Sequence, residues 1–162
     1  MTTSDEVRWL TPEQLRAWVG LLSVAELLPA ALDSQLRRDA RLTHFDYQVL
    51  AMLSEAPGRT LRMTSLAQRT SATLPRLSHV VERLETRGLV ARAPAPDDAR
   101  ATDARLTPAG WDTLVAAAPG HVATARALVV DALTDEQMAQ LEEITGALLA
   151  RLDPQDRLAR RG

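Results

Sequence analysis

Residues 70–110 read TSATLPRLSHVVERLETRGLVARAPAPDDARATDARLTPAG, and this stretch decides the fold. The polar turn TSAT precedes a predicted helix from about Leu74 to Thr86, with Pro75 in its first turn, where proline is favoured. At about 100° per residue, one arc of this helix is apolar (Leu77, Val80, Val81, Leu84), and the arc beside it is basic (Arg76, His79, Arg83, Arg87). We expect the apolar arc to pack against the core and the basic arc to remain exposed.

A β-hairpin is predicted to follow this helix. Gly88 stands where a left-handed helix C-cap requires glycine. Two short strands, residues 89–92 and 103–106, flank the tip PAPDDARAT, whose prolines and aspartates favour a turn. Before the TSAT turn, residues 63–69 read as another helix that buries Leu66 and Ala67. Helix, turn, helix and hairpin in this order indicate a winged helix-turn-helix.

Further helices are predicted on both sides of this motif. Residues 11–14 (TPEQ) and 134–137 (TDEQ) have the pattern of capping boxes, and Thr43 caps a short helix that the turn at 56–58 ends. We expect a kink at Pro29 and a bend or break at Pro119-Gly120. The predicted fold class is mainly α with a small β-hairpin wing.

Composition narrows the possible functions. The 162 residues are 46% hydrophobic, enough for one compact core, and they include no cysteine, which excludes disulfides and thiolate chemistry. We find no apolar run near the ~20 residues of a membrane span and no signal-peptide core, so we expect a cytoplasmic protein without membrane association. Phosphate loops and nucleophile elbows are absent, and the histidines lack metal-ligand spacing. The sequence therefore predicts no enzyme, cofactor or metal.

Charge is distributed unevenly along the chain. The formal net charge is −2, but residues 59–105 contain nine arginines against five acidic residues. A helix of this kind fits the major groove of B-DNA, and an arginine on a loop suits the narrow minor groove of A·T-rich sequence. We therefore expect Arg100 in the minor groove, supported by Asp98, and Arg83 on a phosphate. The expected base-proximal residues are Thr73, Pro75, Arg76, Ser78 and His79.

The chain resembles the MarR (multiple antibiotic resistance regulator) family of transcription factors. The motifs that carry the resemblance lie between residues 42 and 110, and include RLE at 83–85, RGLV at 87–90, DAR at 98–100 and LTPAG at 106–110. In element order the resemblance extends over residues 10–152. It implies a homodimeric, ligand-released repressor, or less often an activator, that binds a pseudo-palindromic operator in double-stranded DNA.

The resemblance also implies a division of the chain. Residues 1–41 form an N-terminal dimerisation helix, residues 42–107 the winged helix-turn-helix lobe, and residues 108–162 the C-terminal dimerisation helices, which make one compact domain with 1–41. A small-molecule effector of unspecified identity is expected between the dimer helices and the lobe. The candidate lining residues are Trp18, Leu22, His44 and Tyr47.

A second class of function stays open at this point. The basic helix of a winged-helix protein-interaction module meets an acidic partner, and such a module lacks sequence-specific DNA binding. The two functions differ in their dependence on salt and on DNA sequence, because each phosphate contact releases counterions.

Overall fold

The computed structural model describes residues 7–155, in which six α-helices and three β-strands are found. The helices are α1 (Pro12–Ala40), α2 (His44–Glu55), α3 (Met63–Arg69), α4 (Leu74–Thr86), α5 (Pro108–Leu128) and α6 (Asp135–Leu152). The strands are β1 (Thr60–Arg62), β2 (Val90–Ala95) and β3 (Asp98–Leu106). Residues 1–6 and 156–162, the outer ends of the two expected dimerisation segments, lie outside the described residues.

The helix starts follow the predicted capping signals. Capping boxes are present at the starts of α1 and α6, where Thr11 and Thr134 are the N-caps. Thr43 caps α2, and here Asp46 completes the capping box by accepting a hydrogen bond from the Thr43 backbone N–H at 2.8 Å. Each box satisfies donors that a helix start leaves unpaired.

Both long helices continue through a proline. α1 is unbroken at Pro29 and α5 is unbroken at Pro119, so the break considered at Pro119-Gly120 does not occur. Gly120 lies against α1, where an added Cβ would come within 3.2 Å of Gln35 Nε2. Because proline removes one hydrogen bond and not the whole ladder, the packing of α5 along α1 is sufficient to keep the helix. A bend at either proline stays a prediction.

The three strands form one antiparallel sheet in the order β1-β3-β2. The expected hairpin is present, but its strands are longer than predicted. Most of the expected tip is extended as strand on either side of a turn at Pro96-Asp97, with a register shift between Pro94 and Ala95. Pro94 is tolerated because β2 is an edge strand. The sequence did not predict β1, whose three residues are too few to show a period.

The buried core lies in the segment that contains α2, α3, α4 and the sheet. Leu36 from α1 and Leu114 from α5 join this core, so the flanking helices are fastened to it. Gly88 has a φ of +72°, as the C-cap prediction requires. Gly110 allows the start of α5 to pass close to the preceding segment, because an added Cβ would lie 2.1 Å from the Leu89 carbonyl oxygen.

Two helical segments carry much exposed apolar surface. Pro12–Ala40 and Pro108–Ala132 are long and apolar enough to cross a membrane by length and composition, which corrects the expectation that no such segment exists. The sequence analysis did not find these segments because it searched for uninterrupted apolar runs, and polar residues interrupt the apolar runs in both segments. Helices that pack inside soluble assemblies have the same properties, so this feature alone does not indicate a membrane.

Candidate nucleic-acid interface

The first turns of α4 are exposed, as the arc pattern predicts. Leu77, Val80, Val81 and Leu84 are buried, whereas the residues expected to meet bases lie on the outside. Thr73 is the N-cap, and its Oγ1 accepts a hydrogen bond from the Arg76 backbone N–H at 3.4 Å. Thr73, Pro75, Arg76 and His79 are exposed and Ser78 is half-buried.

Arg76 contacts an aromatic ring that the sequence did not indicate. Its guanidinium carbon lies 4.5 Å from the centre of the Phe45 ring, which belongs to α2. A cation over an aromatic face is attracted by the ring quadrupole. The ring therefore restricts the directions in which Arg76 reaches from the helix.

Arg83 has a structural partner. Its Nη2 lies 2.5 Å from Oδ1 of Asp46, a carboxylate that is only 2% exposed. The other oxygen of Asp46 accepts the hydrogen bond from the Thr43 N–H. Arg83 itself is half-exposed, so a phosphate contact has to use the donors that Asp46 does not occupy.

The wing presents Arg100 to solvent. Its side chain is 95% exposed, and its Nε lies 3.5 Å from Oδ1 of Asp98. The same carboxylate oxygen accepts a hydrogen bond from the Arg100 backbone N–H at 3.0 Å. Asp98 thus holds both the backbone and the head of Arg100 near the hairpin turn.

Two further ion pairs support the wing. Arg62 of β1 contacts Asp97 at the hairpin turn and lies 3.7 Å from Asp103 of β3. Sequence reasoning missed this brace because Arg62 is far from Asp97 along the chain and lies in the strand that was not predicted. The contact fastens the tip of the hairpin to the far edge of the sheet.

Glu85 and Arg92 join α4 to β2. Glu85 accepts hydrogen bonds from the Arg92 backbone N–H at 2.9 Å and from its guanidinium at 2.9 and 2.7 Å. These bonds lower the pKa of Glu85, because they favour the ionised carboxylate. The end of α4 and the base of the wing are therefore linked directly.

Between α4 and the wing lies a cleft of about 240 Å³. Ser78 and Arg100 both line it, so the structure brings these two expected site residues together. Arg62 and Arg92 line the same cleft, where each is already paired with a carboxylate. A basic helix and a basic wing thus flank one concave surface.

The four expected effector residues are not brought together within one chain. Tyr47 packs on His121 of α5 with ring centres 4.2 Å apart, and His44 stacks on His121 at 6.0 Å. Trp18 and Leu22 are exposed on α1. They precede Asp33, which binds the His44 N–H, by at least eleven residues, or about 16 Å along a helix.

His121 is the residue at this junction that sequence reasoning did not single out. Its Nδ1 is buried and has no hydrogen-bond partner among residues 7–155. Burial, and then the neighbouring charge of His44, lower the pKa of His121. No group of three or more His, Cys, Asp or Glu side chains positioned to hold a metal ion is found among residues 7–155.

Comparison with known proteins identifies the family. The MarR family model matches residues 42–101. The crystal structure of Sco3205, a MarR family transcriptional regulator from Streptomyces coelicolor in complex with DNA, is 44% identical, covers 94% of this chain and 96% of its own, and has a TM-score of 0.88. The chain belongs to the MarR family. AbsC, a MarR family regulator from the same organism, is 36% identical over 90% of this chain and 98% of its own, with a TM-score of 0.85.

A more distant solved structure shares the fold. The organohalide-sensing regulator RdhR-CbdbA1625 in its 2,4-dichlorophenol-bound form is 19% identical, covers 93% of this chain and 89% of its own, and has a TM-score of 0.75. A search of curated proteins found no match. The predicted winged helix-turn-helix fold and the MarR resemblance are both confirmed, and the chain is a transcriptional regulator of this family.

Proposed function

We propose that this chain is a homodimeric, ligand-responsive repressor that binds a pseudo-palindromic operator in double-stranded DNA. The first turns of α4 enter the major groove and Arg100 enters the adjacent minor groove. The observation that carries the proposal is the nearly complete exposure of Arg100 beside its supporting Asp98, across a cleft from Ser78 on α4. A relative of 44% identity was solved with DNA, which supports the same function here.

Each expected DNA residue has a distinct role in this proposal. Thr73, Pro75, Arg76, Ser78 and His79 meet bases, because outer side chains of the first turns of such a helix reach base edges. Arg83 neutralises a phosphate through the donors that Asp46 leaves open. Asp98 makes no base contact and holds Arg100 in position.

The apolar faces of the outer helices support the homodimer. Large apolar side chains are exposed along α1 and α6, among them Trp18, Leu22, Val24, Leu27, Ile144 and Leu149. Many large apolar side chains exposed on the same helices are typical of an interface in a soluble protein. A second copy that covers them places two α4 helices on one face, as a two-fold operator requires. Residues 1–41 and 108–162 are the proposed dimerisation segments, around the DNA-binding lobe at 42–107.

The proposed pairing of two copies also determines where the effector binds. His44 and Tyr47, with His121, lie where α1, α2 and α5 meet, between the dimer helices and the lobe. We place the effector at this junction, with Trp18 and Leu22 contributed through the dimer contact. The identity of the effector is left open. We place the protein in the cytoplasm, where its operator is, and assign it no catalytic activity.

Selection of bound duplexes from a random pool tests the proposal. The dimer selects one two-fold symmetric sequence, and Arg100→Ala weakens binding to it by about 1–3 kcal/mol, most where A·T pairs flank the half-sites. Arg105→Ala, on the same strand but away from the hairpin turn, is the matched control and binds like the parent. If Arg100→Ala also binds like the parent, the minor-groove assignment fails. Failure to prefer any duplex at modest salt favours the protein-interaction module.

A further inference from the structure

A second basic cleft lies apart from the one between α4 and the wing. It has a volume of about 440 Å³ and forms where the end of α1, the start of α2 and the last turns of α4 meet. Its lining residues are Arg37, Arg41, Leu42, Thr43, Asp46, Arg83 and Arg87. Four of the seven are arginines, and only Leu42 is apolar, so the cleft suits a charged and hydrated occupant better than an aromatic one.

The positive charge of this cleft is only partly neutralised. Arg37 Nε lies 2.5 Å from Asp33, and Arg83 lies at the same distance from Asp46. Within residues 7–155, Arg41 and Arg87 have no carboxylate within ion-pair distance. Two uncompensated guanidinium groups thus line one concavity, where like charges repel unless an anion lies between them.

The backbone of Arg41 and the side chain of Arg87 are held in place. Arg41 is the C-cap of α1 and has a φ of +55°, in the left-handed region that residues with a Cβ rarely adopt. Its N–H is bonded to the Arg37 carbonyl, and its own carbonyl accepts a hydrogen bond from Nη1 of Arg87 at 2.9 Å. This left-handed conformation is that of a common helix C-cap, and it fixes the point from which the Arg41 side chain leaves α1.

The guanidinium groups, and not the helix start, supply the donors for a ligand. The backbone N–H groups of Thr43 and His44 are already bonded to Asp46 and Asp33, at 2.8 and 2.9 Å. The positive end of the α2 dipole adds to the potential in the cleft and the negative ends of α1 and α4 oppose it, so the arginine side chains supply the positive charge. Planar arginine forks match tetrahedral oxyanions with parallel hydrogen bonds, and two forks at one site favour a group with several oxygens.

We propose that this cleft is a binding site for a phosphate-class oxyanion, with Arg41 and Arg87 as its principal donors. The group comes either from a free phosphorylated or polyphosphate molecule or from the DNA backbone. The second source rests on the proposed function: Arg76, His79, Arg83 and Arg87 lie along one stripe of α4, which leads from the base-reading turns to the cleft.

Titration with pyrophosphate, against sodium chloride of matched ionic strength, tests the free source. The parent protein binds one pyrophosphate per chain by calorimetry, and Arg41→Gln and Arg87→Gln each weaken this binding by about tenfold or more, because charge-assisted hydrogen bonds are lost. Arg38→Gln is the matched control, since Arg38 is exposed in the same last turn of α1 and does not line the cleft. Thermal unfolding verifies that all variants are folded.

The salt dependence of duplex binding tests the DNA source. If a backbone phosphate occupies the cleft, Arg41→Gln and Arg87→Gln lower the slope of log K against log salt by up to about 0.9 each, and Arg38→Gln leaves it unchanged. Selective effects at Arg41 and Arg87 in either titration support the site and identify its source. Equal behaviour of all four proteins in both titrations overturns it. If no protein binds any duplex, the proposed function fails, and the pyrophosphate result alone decides the cleft.

Discussion

The segment 42–107 and the helices outside it differ in how completely they bury their apolar residues. In the first, leucines and valines of α2, α3, α4 and the sheet are buried in one shared core. In the second, Asp135–Leu152 contains no buried residue, and the buried residues of α1 lie only between Leu32 and Leu36. Both regions have apolar positions at helical spacing.

This difference shows which part of the molecule is stabilised by contacts within one chain and which part needs a partner surface. The segment 42–107 buries its own apolar surface, so its stability comes from contacts within the chain. An amphipathic helix with its apolar face in water gains little from folding, because helices of this length are stabilised mainly by packing. The outer helices therefore depend on a second surface, which we propose is another copy of the same protein.

The largest expected effect comes from a charge on the outer apolar face. Ile144→Asp converts the dimer to monomers, because each interface then buries an unpaired carboxylate at a cost of several kcal/mol. Light scattering after size exclusion measures the change. Leu74→Asp is the control: Leu74 is 45% exposed, close to the 57% of Ile144, but it lies on α4. If Ile144→Asp stays dimeric, α6 is not in the interface.

A smaller and opposite pair of effects is expected at two glycines. Gly110→Ala destabilises the fold by about 1–3 kcal/mol, because the new Cβ overlaps the Leu89 carbonyl oxygen. Gly146→Ala in α6 places its new Cβ more than 4 Å from the other atoms of the described part of the chain and raises stability by up to about 1 kcal/mol through helix propensity. Urea unfolding measures both. A loss of stability at Gly146 indicates that the partner copy packs there.

Phe45 offers a subtler test of the DNA-reading surface. Phe45→Leu removes the ring beneath Arg76 and weakens operator binding by about 0.5–1 kcal/mol, with reduced discrimination at the base that Arg76 meets. Phe45→Tyr keeps a ring and is expected to retain both affinity and discrimination. Competition binding between operators that differ at one base pair distinguishes a loss of discrimination from a uniform loss of affinity. A uniform loss over all variants means that Phe45 acts only through stability.

The smallest effect is expected at His121, where the two regions meet. Its pKa is lowered in the fold, so the neutral form is favoured there and the resulting stability is complete above the ordinary histidine pKa of 6.5. This stability is lost as pH falls through the window between that value and the lower folded pKa, because the unfolded imidazole takes up a proton there before the folded one does. Unfolding of the parent between pH 7.5 and 5 therefore shows a steeper loss than unfolding of His121→Gln. If the parent and His121→Gln lose stability equally as pH falls, His121 does not cause this pH dependence.

Local signals in the sequence predicted the helices and the hairpin well. Thr11, Thr43 and Thr134 cap helices as expected, and Gly88 adopts the left-handed conformation. These features depend on neighbours within four residues, so the sequence displays them directly. Of the bend or break expected at Pro119-Gly120, the break does not occur; the close approach of Gly120 to α1, where an added Cβ would lie 3.2 Å from Gln35 Nε2, is a tertiary feature that local sequence does not display.

Long-range pairs explain most of what the sequence did not predict at the site. Arg62 with Asp97, Arg83 with Asp46 and Arg76 with Phe45 each join residues at least thirty positions apart. The sequence shows that Arg83 is a basic residue on an exposed arc of α4, but it does not show that the buried Asp46 is its partner. The cleft around Arg41 was missed for the same reason, since it is formed by the ends of three separate helices.

The bonds between Glu85 and Arg92 have a consequence for the choice of regulatory targets. They fix the end of α4 to the base of the wing, so in the proposed dimer the base of the wing keeps its position relative to α4 within each protomer. An operator with a different separation between its half-sites then requires a different angle between the two protomers. Mutations that adapt the regulator to such an operator are therefore expected in α1, α5 and α6.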